Sequence, residues 1–292
     1  MSKLSENERM AEYRPGVFFK IPKKFGKLEL LIRRSTQIFQ ALFSARFSAN
    51  SFLEEDAELR YNHQEELEYY KAVAHSGLTT EELAVLNHLK SRGQSLRNIL
   101  IVGAGAGREP FYYAKEGYQV DALDINLEMV EAAKNISKES GLDVNFYHGD
   151  QSFETGRKYD LVHISFAITS HIQGRKNRVK FFKECFKHVA KDGVMIHGFY
   201  DRRVNESLRF RISSWILRMR WFFTKREWEP GDTLISSVGH HNSSDMLSYF
   251  YFYESADSIK SELREAGLKG EIIHRELDSN SRLDEFWIIE GN

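Results

Sequence analysis

The sequence predicts an α/β protein built on a doubly wound, mostly parallel sheet of seven strands, and two observations carry this prediction. Apolar strand-like runs alternate with helix-like segments through the middle of the chain, which is typical of parallel strands joined by covering helices. The chain has 292 residues, of which 41% are hydrophobic, so it can bury an α/β core of roughly 200 residues. The other residues are expected to form a helical N-terminal cap and an inserted helix after the fifth strand.

Five strands and the helices between them make up the parallel part of the predicted sheet. The first strand, Asn98–Gly103 (NILIVG), is continuously apolar, as expected of a strand that is buried on both faces. The elements after it are predicted, in chain order, as a helix over Arg108–Glu116, a strand over Gln119–Asp124, a helix over Leu127–Ser140, strands over Val144–His148 and Tyr159–Phe166, a helix over Arg178–Ala190 and a strand over Val194–Phe199.

The C-terminal part is predicted to complete the sheet. A helix over Ser255–Ala266 ends at Gly267, a residue type that readily adopts the left-handed conformation after a helix. Two strands follow, Glu271–Leu277 and Arg282–Glu290, joined by the turn-forming residues at 278–280. This pair supplies the sixth and seventh strands.

Two segments lie outside the predicted core. Residues 1–78 are predicted to form a helical cap, and 201–250 an insertion for substrate within a domain that spans 79–292. Within the insertion, 207–223 (SLRFRISSWILRMRWFF) has the period of a helix that is apolar on two faces. A helix at the surface of one domain needs only one apolar face, so the second face must contact something else.

Three partners for that second face remain open. It can line an acceptor pocket under the cap, form a homodimer through 207–223, or rest on an anionic membrane that holds a lipid-like acceptor. Basic residues mixed with aromatic ones suit the membrane interface. The N-terminal segment repeats the theme, because Arg14–Lys27 is basic and aromatic and Leu28–Phe47 has a one-sided apolar helical pattern.

A glycine-rich loop follows the first strand. Gly103, Gly105 and Gly107 alternate in ILIVGAGAG, between a strand and a helix. The first glycine permits a tight turn, the second lets a ligand approach the backbone, and the amides that begin the helix point at the bound group. Asp124 falls at the carboxyl end of the second strand, where an acid can accept both hydroxyls of a ribose. The pattern therefore predicts a nucleoside-containing cofactor.

Two classes of nucleoside-binding domain share this arrangement. Dinucleotide-binding enzymes usually carry Gly-x-Gly-x-x-Gly, which here requires glycine at the position of Arg108. The spacing Gly103-x-Gly105-x-Gly107 instead resembles the first motif of the class I S-adenosylmethionine-dependent methyltransferases. This resemblance covers roughly 79–292 apart from the insertion, and it continues through Asp124, Gly149-Asp150, YDLVHISF as the fourth strand, Lys191-Asp192-Gly193 and the closing strand pair.

The resemblance implies a last strand antiparallel to the others, S-adenosyl-L-methionine as the cofactor and a set of binding residues. Gly103, Ala104 and Gly105, with Gly107 completing the loop, would surround the methionine part. The other implied contacts are Asp124 to the ribose, Ile125 to the adenine, Asp150 to its amino group with Gln151 beside it, and Ser165 and Phe166 at the transferred methyl. For Asp150 a turn or helix-cap role stays open. Ile101 stands where the family often has an acid that helps to hold the methionine end.

Transfer of a methyl group needs alignment more than acid or base chemistry, since proximity alone can supply about 7–11 kcal/mol. If the acceptor must lose a proton, the candidate catalytic residues are His171, His241 and Tyr200, because ligands of this fold bind beyond the carboxyl ends of the strands. His163 and His197 lie inside predicted strands and are interpreted as core residues. No spacing of metal ligands is convincing, so no metal is predicted.

Composition limits the partners and the compartment. The formal net charge of −1 offers no overall attraction to nucleic acid. The single cysteine, Cys185, excludes an internal disulfide, and with a polar N-terminus and no long apolar run it suggests a cytoplasmic protein.

The sequence therefore predicts methyl transfer to oxygen or nitrogen of a small, partly apolar metabolite. The alternatives are an NAD(P)-dependent oxidoreductase and an inactive scaffold that binds S-adenosylmethionine.

Overall fold

The structure, a computed structural model, describes residues 64–201, 215, 218, 219, 229–236, 247–277 and 283–291. The predicted cap is therefore described only from residue 64 onward, and the predicted helix over Leu28–Phe47 lies outside the described residues. Most of the insertion, including His241, also lies outside them.

Six α-helices and nine strands are found in the described ranges. The helices are α1 (Gln64–Val73), α2 (Thr80–Ser91), α3 (Arg108–Lys115), α4 (Leu127–Ser140), α5 (Arg175–Lys187) and α6 (Ala256–Glu265), with a short 3-10 helix at Ile168–His171. The strands are β1 (Asn98–Val102), β2 (Gln119–Asp124), β3 (Val144–His148), β4 (Tyr159–Ile164), β5 (Val189–Asp201), β6 (Asp232–Ser236), β7 (Leu247–Tyr251), β8 (Leu268–Leu277) and β9 (Leu283–Gly291).

Seven of the strands form one sheet in the order β3-β2-β1-β4-β5-β9-β8. The first five of these pair in parallel, whereas β9 pairs antiparallel with both β5 and β8. The predicted mostly parallel sheet with an antiparallel last strand is confirmed. The strand order reverses between β1 and β4, and a sheet of this kind binds ligands in the crevice at that switch point.

Local capping sets where several helices begin. Thr79 and Glu82 form a reciprocal capping box at the start of α2, in which each side chain accepts from the other residue's backbone N–H. The Asn126 side chain accepts from the Met129 N–H at the start of α4, and the Ser255 side chain caps α6 in the same way. These caps place the loops that precede the helices.

The apolar run of β1 divides between the two sides of the sheet. Ile99 and Ile101 belong to one buried cluster, while Leu100 and Val102 belong to another. Alternate side chains of a strand point to opposite faces, so a strand covered by helices on both faces must be apolar at every position. The lone Cys185 thiol is buried in the core, and burial raises its pKa well above the ordinary value.

The structure differs from the sequence prediction most clearly in the insertion and at the fifth strand, while the helix predicted over Arg178–Ala190 spans Arg175–Lys187 and the strand predicted from Glu271 begins at Leu268. The insertion contributes two antiparallel strands, β6 and β7, whereas the apolar pattern predicted only a helix there. The fifth strand begins at Val189 rather than Val194, because its pairing with β4 shifts register between Tyr159 and Leu161. At that irregularity a Cβ on Gly193 would lie 2.6 Å from the Tyr159 carbonyl oxygen, so only glycine lets the two backbones approach this closely.

Candidate cofactor and acceptor site

The first glycine of the loop is required by two neighbours. Gly103 has a φ of +80°, and its N–H donates to the Leu123 carbonyl oxygen at 2.8 Å. A Cβ at this position would lie 2.6 Å from Ile168 Cδ1. The loop after β1 is therefore tied to the end of β2 and packed against the residue that begins the 3-10 helix after β4.

The other two glycines have different roles. A Cβ on Gly107 would lie 2.5 Å from the Phe111 ring. Glycine at this position therefore leaves room for the Phe111 side chain at the start of α3. Gly105 has a φ of +51°, and a Cβ there would lie 3.6 Å from Tyr70 of α1, an ordinary contact distance. At Gly105, unlike at the other two glycines, no described neighbour would clash with a Cβ.

Asp124 closes the loop from the neighbouring strand. Its Oδ2 accepts from the Gly105 N–H at 2.7 Å, and its Oδ1 accepts from the Asn126 N–H at 2.8 Å. Burial raises the pKa of the Asp124 carboxyl, while these two donors lower it. Because a carboxylate offers about four acceptor positions, both oxygens can still accept a hydroxyl, so the side chain fits the predicted contact to a ribose.

An apolar surface begins next to Asp124. The Ile125 side chain is 47% exposed and Leu127 is 53% exposed, which is unusual for large hydrophobic residues in a core region. The Ile125 carbonyl oxygen is held by His148 Nε2 at 2.9 Å. This surface fits the flat apolar face of an adenine.

Asp150 and Gln151 lie in the turn after β3. Asp150 Oδ1 accepts from both the N–H (2.8 Å) and the hydroxyl (2.6 Å) of Ser152, so the turn role that the sequence left open is present. Oδ2 takes no part in those two hydrogen bonds. The Gln151 carbonyl oxygen is bonded to His188 Nε2 at 3.0 Å, which holds this turn against the end of α5.

The chain bends sharply after β4. Ala167 has a φ of +60°, and among the described residues no other non-glycine residue has a positive φ. Its N–H donates to the Gly198 carbonyl oxygen at 2.9 Å, which holds the bend against β5. A left-handed alanine costs of order 1–3 kcal/mol, and such strain is characteristic of functional sites. The bend places Ser165 and Phe166 at the switch point.

Aromatic side chains form a wall beside this bend. The Phe166 ring lies 4.6 Å from the Tyr200 ring, and Tyr200 lies 5.5 Å from Phe250 of β7. Phe252 completes the cluster, 4.7 Å from Phe250. The His171 ring meets the Phe250 ring edge-on at 5.2 Å. The wall joins the ends of β4 and β5 to the insertion, and it brings together Phe166, His171 and Tyr200 from the predicted set.

Two other histidines are core residues, as the sequence suggested. His197 bonds the Thr169 hydroxyl at 3.0 Å and the Ile164 carbonyl oxygen at 3.2 Å, and burial lowers its pKa to about 3. His163 bonds the Tyr113 hydroxyl at 3.2 Å, and burial lowers its pKa to about 4. Neither imidazole carries charge near neutral pH. His241 cannot be placed, since it lies outside the described residues.

Sequence reasoning missed two buried ion-pair clusters, one around Arg108 and one around Arg178. Arg108 was noted only as the residue that replaces a glycine, and Arg178 only as the start of a helix. A capping-box pattern, Thr79-x-x-Glu82, is the one sequence signal that could have drawn attention to the first cluster. Partners that are far apart in the chain leave no such local signal.

A further group of possible metal ligands lies apart from the glycine loop, on α2 and β8. Ligand atoms of Glu81, His274 and Glu276 lie within 4.8 Å of one another. Burial raises the pKa of Glu81, but hydrogen bonds outweigh it and the net shift is downward. All three side chains are partly or fully exposed, and because exposed acidic groups commonly gather without a metal, this group by itself is not evidence of one.

A family model described as a methyltransferase domain matches residues 99–193, the segment from β1 to the start of β5. Among solved structures, magnesium protoporphyrin IX methyltransferase from Synechocystis PCC 6803 with bound S-adenosylmethionine has a TM-score of 0.53 at 14% identity. It covers 84% of this chain and 100% of its own. At that identity the likeness concerns the fold.

Residues 99–193 thus form a methyltransferase domain, and the fold is that of solved methyltransferases that use S-adenosylmethionine. S-adenosyl-L-methionine is bound in the Synechocystis structure, and the glycine loop of this chain fits the same cofactor. Gly105 leaves backbone open, Asp124 keeps acceptor capacity, and the buried Ser165 Oγ has no hydrogen-bond partner among the described residues. The predictions of the fold and of a methyltransferase domain are confirmed.

Curated relatives of the methyltransferase include two ubiquinone biosynthesis O-methyltransferases. The one from Rickettsia conorii (strain ATCC VR-613 / Malish 7) is 26% identical over 174 residues, covering 59% of this chain and 53% of the relative. The one from Rickettsia canadensis (strain McKiel) is 25% identical over 201 residues, covering 66% of this chain and 76% of the relative. The chain thus spans about half the length of the first and three quarters of the second.

Proposed function

We propose that the methyltransferase transfers a methyl group from S-adenosyl-L-methionine to an oxygen, or else a nitrogen, of a small, partly apolar acceptor. The observation that carries the proposal is the aromatic wall of Phe166, Tyr200, Phe250 and Phe252. It starts at the bend after β4, directly beside the glycine loop, because Ile168 packs on Gly103. Phe166 is partly exposed, whereas Tyr200, Phe250 and Phe252 are buried. An acceptor that rests on Phe166 lies next to the cofactor site, and its apolar part is bound by ring contacts.

An oxygen nucleophile on an apolar ring is the acceptor that we favour. The relatives named ubiquinone biosynthesis O-methyltransferases support oxygen, and the aromatic wall supports a flat, apolar body. His171 is the proposed general base, because it contacts Phe250 from the end of the 3-10 helix and is only half buried. Tyr200 is proposed to orient the acceptor.

The cofactor-binding roles belong to residues of the loop and the neighbouring strand ends. When bound, S-adenosyl-L-methionine supplies an electrophilic methyl group on a sulfonium. Asp124 would accept the ribose hydroxyls, Ile125 would cover the adenine, and Asp150 Oδ2, with Gln151 beside it, would meet the amino group. Gly103, Ala104 and Gly105 would surround the methionine part, with Gly107 setting the start of α3. The protein's contribution to rate is then alignment of two bound reactants.

Ligand-dependent unfolding tests the cofactor and a turnover assay tests the reaction. S-adenosylhomocysteine at about 100 times its Kd should raise stability by about 2.7 kcal/mol, which is roughly 5–10 °C in Tm for a chain of this size. NADH and NADPH should leave Tm unchanged. A panel of ring hydroxyls with increasing alkyl substitution should then show product formation that rises with apolar size. Stabilisation by a nicotinamide alone would contradict the proposal, as would tight binding of S-adenosylhomocysteine without turnover on any acceptor.

The covering of the site is part of the proposal. The Tyr70 ring of α1 lies 3.6 Å from where a Cβ on Gly105 would be, which supports α1 as the part of the cap that covers the loop. Removal of that cap should weaken S-adenosylhomocysteine binding, measured by calorimetry on a chain that begins near residue 79. We also propose that the protein acts in the cytoplasm, because its single cysteine, Cys185, is a buried free thiol, as suits a reducing compartment.

The insertion helix offers a contact surface. Trp215 is 61% exposed and Met219 is 41% exposed, and they lie four residues apart on helical residues, with Arg218 next to them. We propose that this face meets a second copy of the chain or an anionic membrane. Among the described residues no helix is long and apolar enough to cross a bilayer. Trp215→Glu should abolish either a dimer in sedimentation velocity or co-sedimentation with anionic vesicles at low salt.

A further inference from the structure

A buried cluster of charged side chains lies where α3 begins. Arg108 donates to both carboxylate oxygens of Glu82, at 2.7 and 2.8 Å, and to Glu109 Oε1 at 2.6 Å. It also donates to the Gly77 carbonyl oxygen at 3.1 Å. The guanidinium therefore joins α2 to the helix that follows the glycine loop.

The charges in this cluster do not balance. The side chains of Glu82 and Glu109 are 0% and 6% exposed, and Arg108 is the one cation that contacts them in the described part of the chain. His163 Nε2 approaches Glu82 at 3.9 Å, but its imidazole is neutral near pH 7 because burial lowers its pKa to about 4. Two buried carboxylates thus face one guanidinium, and an uncompensated buried charge is costly.

Glu109 is the carboxylate that carries the imbalance. Glu82 holds Arg108 through both oxygens and also caps α2. Burial raises the pKa of the Glu109 carboxyl, and although Arg108 lowers it, the net shift is upward. A carboxyl in that state is stabilised by any further cation that reaches it.

A second polar group lies at the same place. The Ser165 hydroxyl is buried, and it lies near enough to Glu109 to lower the pKa of that carboxyl through a side-chain interaction. It has no other hydrogen-bond partner among the described residues. Ser165 follows β4, and a Cβ on Gly103 would lie 3.8 Å from its Cβ. Glu109 and Ser165 therefore lie together beside the glycine loop, at the switch point where a sheet of this kind binds ligands.

We propose that Glu109 and Ser165 form the site for the α-ammonium group at the methionine end of the cofactor. The assignment rests on the proposed function of the loop as the cofactor site. An ammonium group neutralises the cluster and gives the Ser165 hydroxyl a donor. It also accounts for Ile101, since the acid absent before the first glycine is supplied by Glu109 after the third.

Two ligands that share an adenosine and a neutral sulfur test this assignment. S-adenosylhomocysteine carries the amino-acid end, and 5′-methylthioadenosine lacks it. Glu109→Gln should weaken S-adenosylhomocysteine binding about 10- to 100-fold in calorimetry, the expected loss for a charged hydrogen bond. The same variant should change the Kd of 5′-methylthioadenosine by less than about twofold. Glu116→Gln, at the exposed C-terminal end of the same helix, is the matched control and should change neither.

Each other outcome overturns the assignment. Equal losses for both ligands would mean that Glu109 acts only by holding the loop. A loss for S-adenosylmethionine but not for S-adenosylhomocysteine would assign Glu109 to the sulfonium instead. Unchanged binding in the variant would remove Glu109 from the site. If wild-type protein bound neither ligand, the proposed function itself would fail, a result that is distinct from the other three. Urea unfolding of both variants shows that each is folded.

Discussion

The clusters around Arg108 and Arg178 contain the same chemistry but differ in how their charges are satisfied. Arg178 is fully buried, donates to Glu262 at 2.6 Å and to Glu229 at 2.8 Å, and stacks on the Tyr251 ring, 3.7 Å from its centre. A second cation, Arg175, lies 4.0 Å from Glu262. Arg175 also forms a shorter ion pair, 2.9 Å, with the exposed Glu265. Two guanidinium groups therefore serve three carboxylates, one of them exposed, whereas at Arg108 one guanidinium faces two buried carboxylates.

The hydroxyl groups beside the two clusters also differ in their hydrogen bonding. The Tyr253 hydroxyl donates to Glu262 at 3.1 Å, and Tyr249 donates to the nearby Asp232 at 2.6 Å. At the Arg108 cluster the Ser165 hydroxyl lies beside Glu109 and has no other hydrogen-bond partner among the described residues. We call the Arg178 cluster closed, because hydroxyl donors complete it, and the Arg108 cluster open, because its two buried carboxylates share one guanidinium. The Arg178 cluster joins α5, α6 and the insertion that carries Phe250.

The largest expected effect is on stability at the closed cluster. Arg178→Ala removes the main cation of the buried Glu262 and of the partly buried Glu229, so the free energy of unfolding should fall by about 3–5 kcal/mol in urea titrations. The Kd of S-adenosylhomocysteine for the folded fraction should stay the same. Arg92→Ala, which removes an exposed pair with Glu271, is the control and should cost less than about 1 kcal/mol. A small loss in Arg178→Ala would show that the cluster does not anchor the insertion.

The next largest effect is a dependence of folding stability on pH that is caused by Asp232. Burial raises the pKa of this carboxyl to about 7, above its ordinary value of 3.8. The unfolded chain then releases the proton first, so folding stability falls as pH rises from about 4 to 7 and stays low above that. Between pH 5 and 8 the loss from this group should be at most about 2–3 kcal/mol. Asp232→Asn should remove that part of the slope; an unchanged slope would contradict the assignment.

Loss of the ribose contact should have a smaller effect than the two stability changes. It should be the same for ligands with and without the amino-acid end. Asp124→Ala is expected to weaken S-adenosylhomocysteine binding about 10- to 100-fold, since a carboxylate hydrogen bond contributes roughly 1.5–3 kcal/mol. Unlike Glu109→Gln, it should weaken 5′-methylthioadenosine equally, because both ligands carry the ribose. Calorimetry with the two ligands measures this, and an effect confined to one of them would assign Asp124 elsewhere.

The smallest expected effect is a loss of ligand affinity on removal of the Ser165 hydroxyl from the open Arg108 cluster. Ser165→Ala should weaken S-adenosylhomocysteine binding about 2- to 10-fold, the worth of one ordinary hydrogen bond. It should not lower the free energy of unfolding, because a buried hydroxyl without a partner costs stability rather than supplying it. Ser137→Ala, which removes a hydroxyl bonded to the Leu142 carbonyl oxygen, should instead destabilise the protein. A loss of stability in Ser165→Ala would show that its hydroxyl is structural.

The sequence by itself determined the parallel core, the glycine loop and Asp124, because these depend on patterns within one βαβ unit. Strand periodicity, cap residues and left-handed glycines are set by local sterics and hydrogen bonding. Those signals need no knowledge of which segments meet. They also identified His163 and His197 as core residues, since both lie within apolar strand runs.

Only the tertiary structure decided which charges meet and what the insertion adds. Arg178 and Glu262 are 84 residues apart, and Arg108 and Glu82 are 26 apart, so no local period reports either pair. Strands β6 and β7 pair with each other beside the end of β5, where Asp201 bridges to Tyr253. Partner choice at such distances depends on how helices pack across the sheet. The charge imbalance at Glu109 becomes visible only after that packing has brought the side chains together.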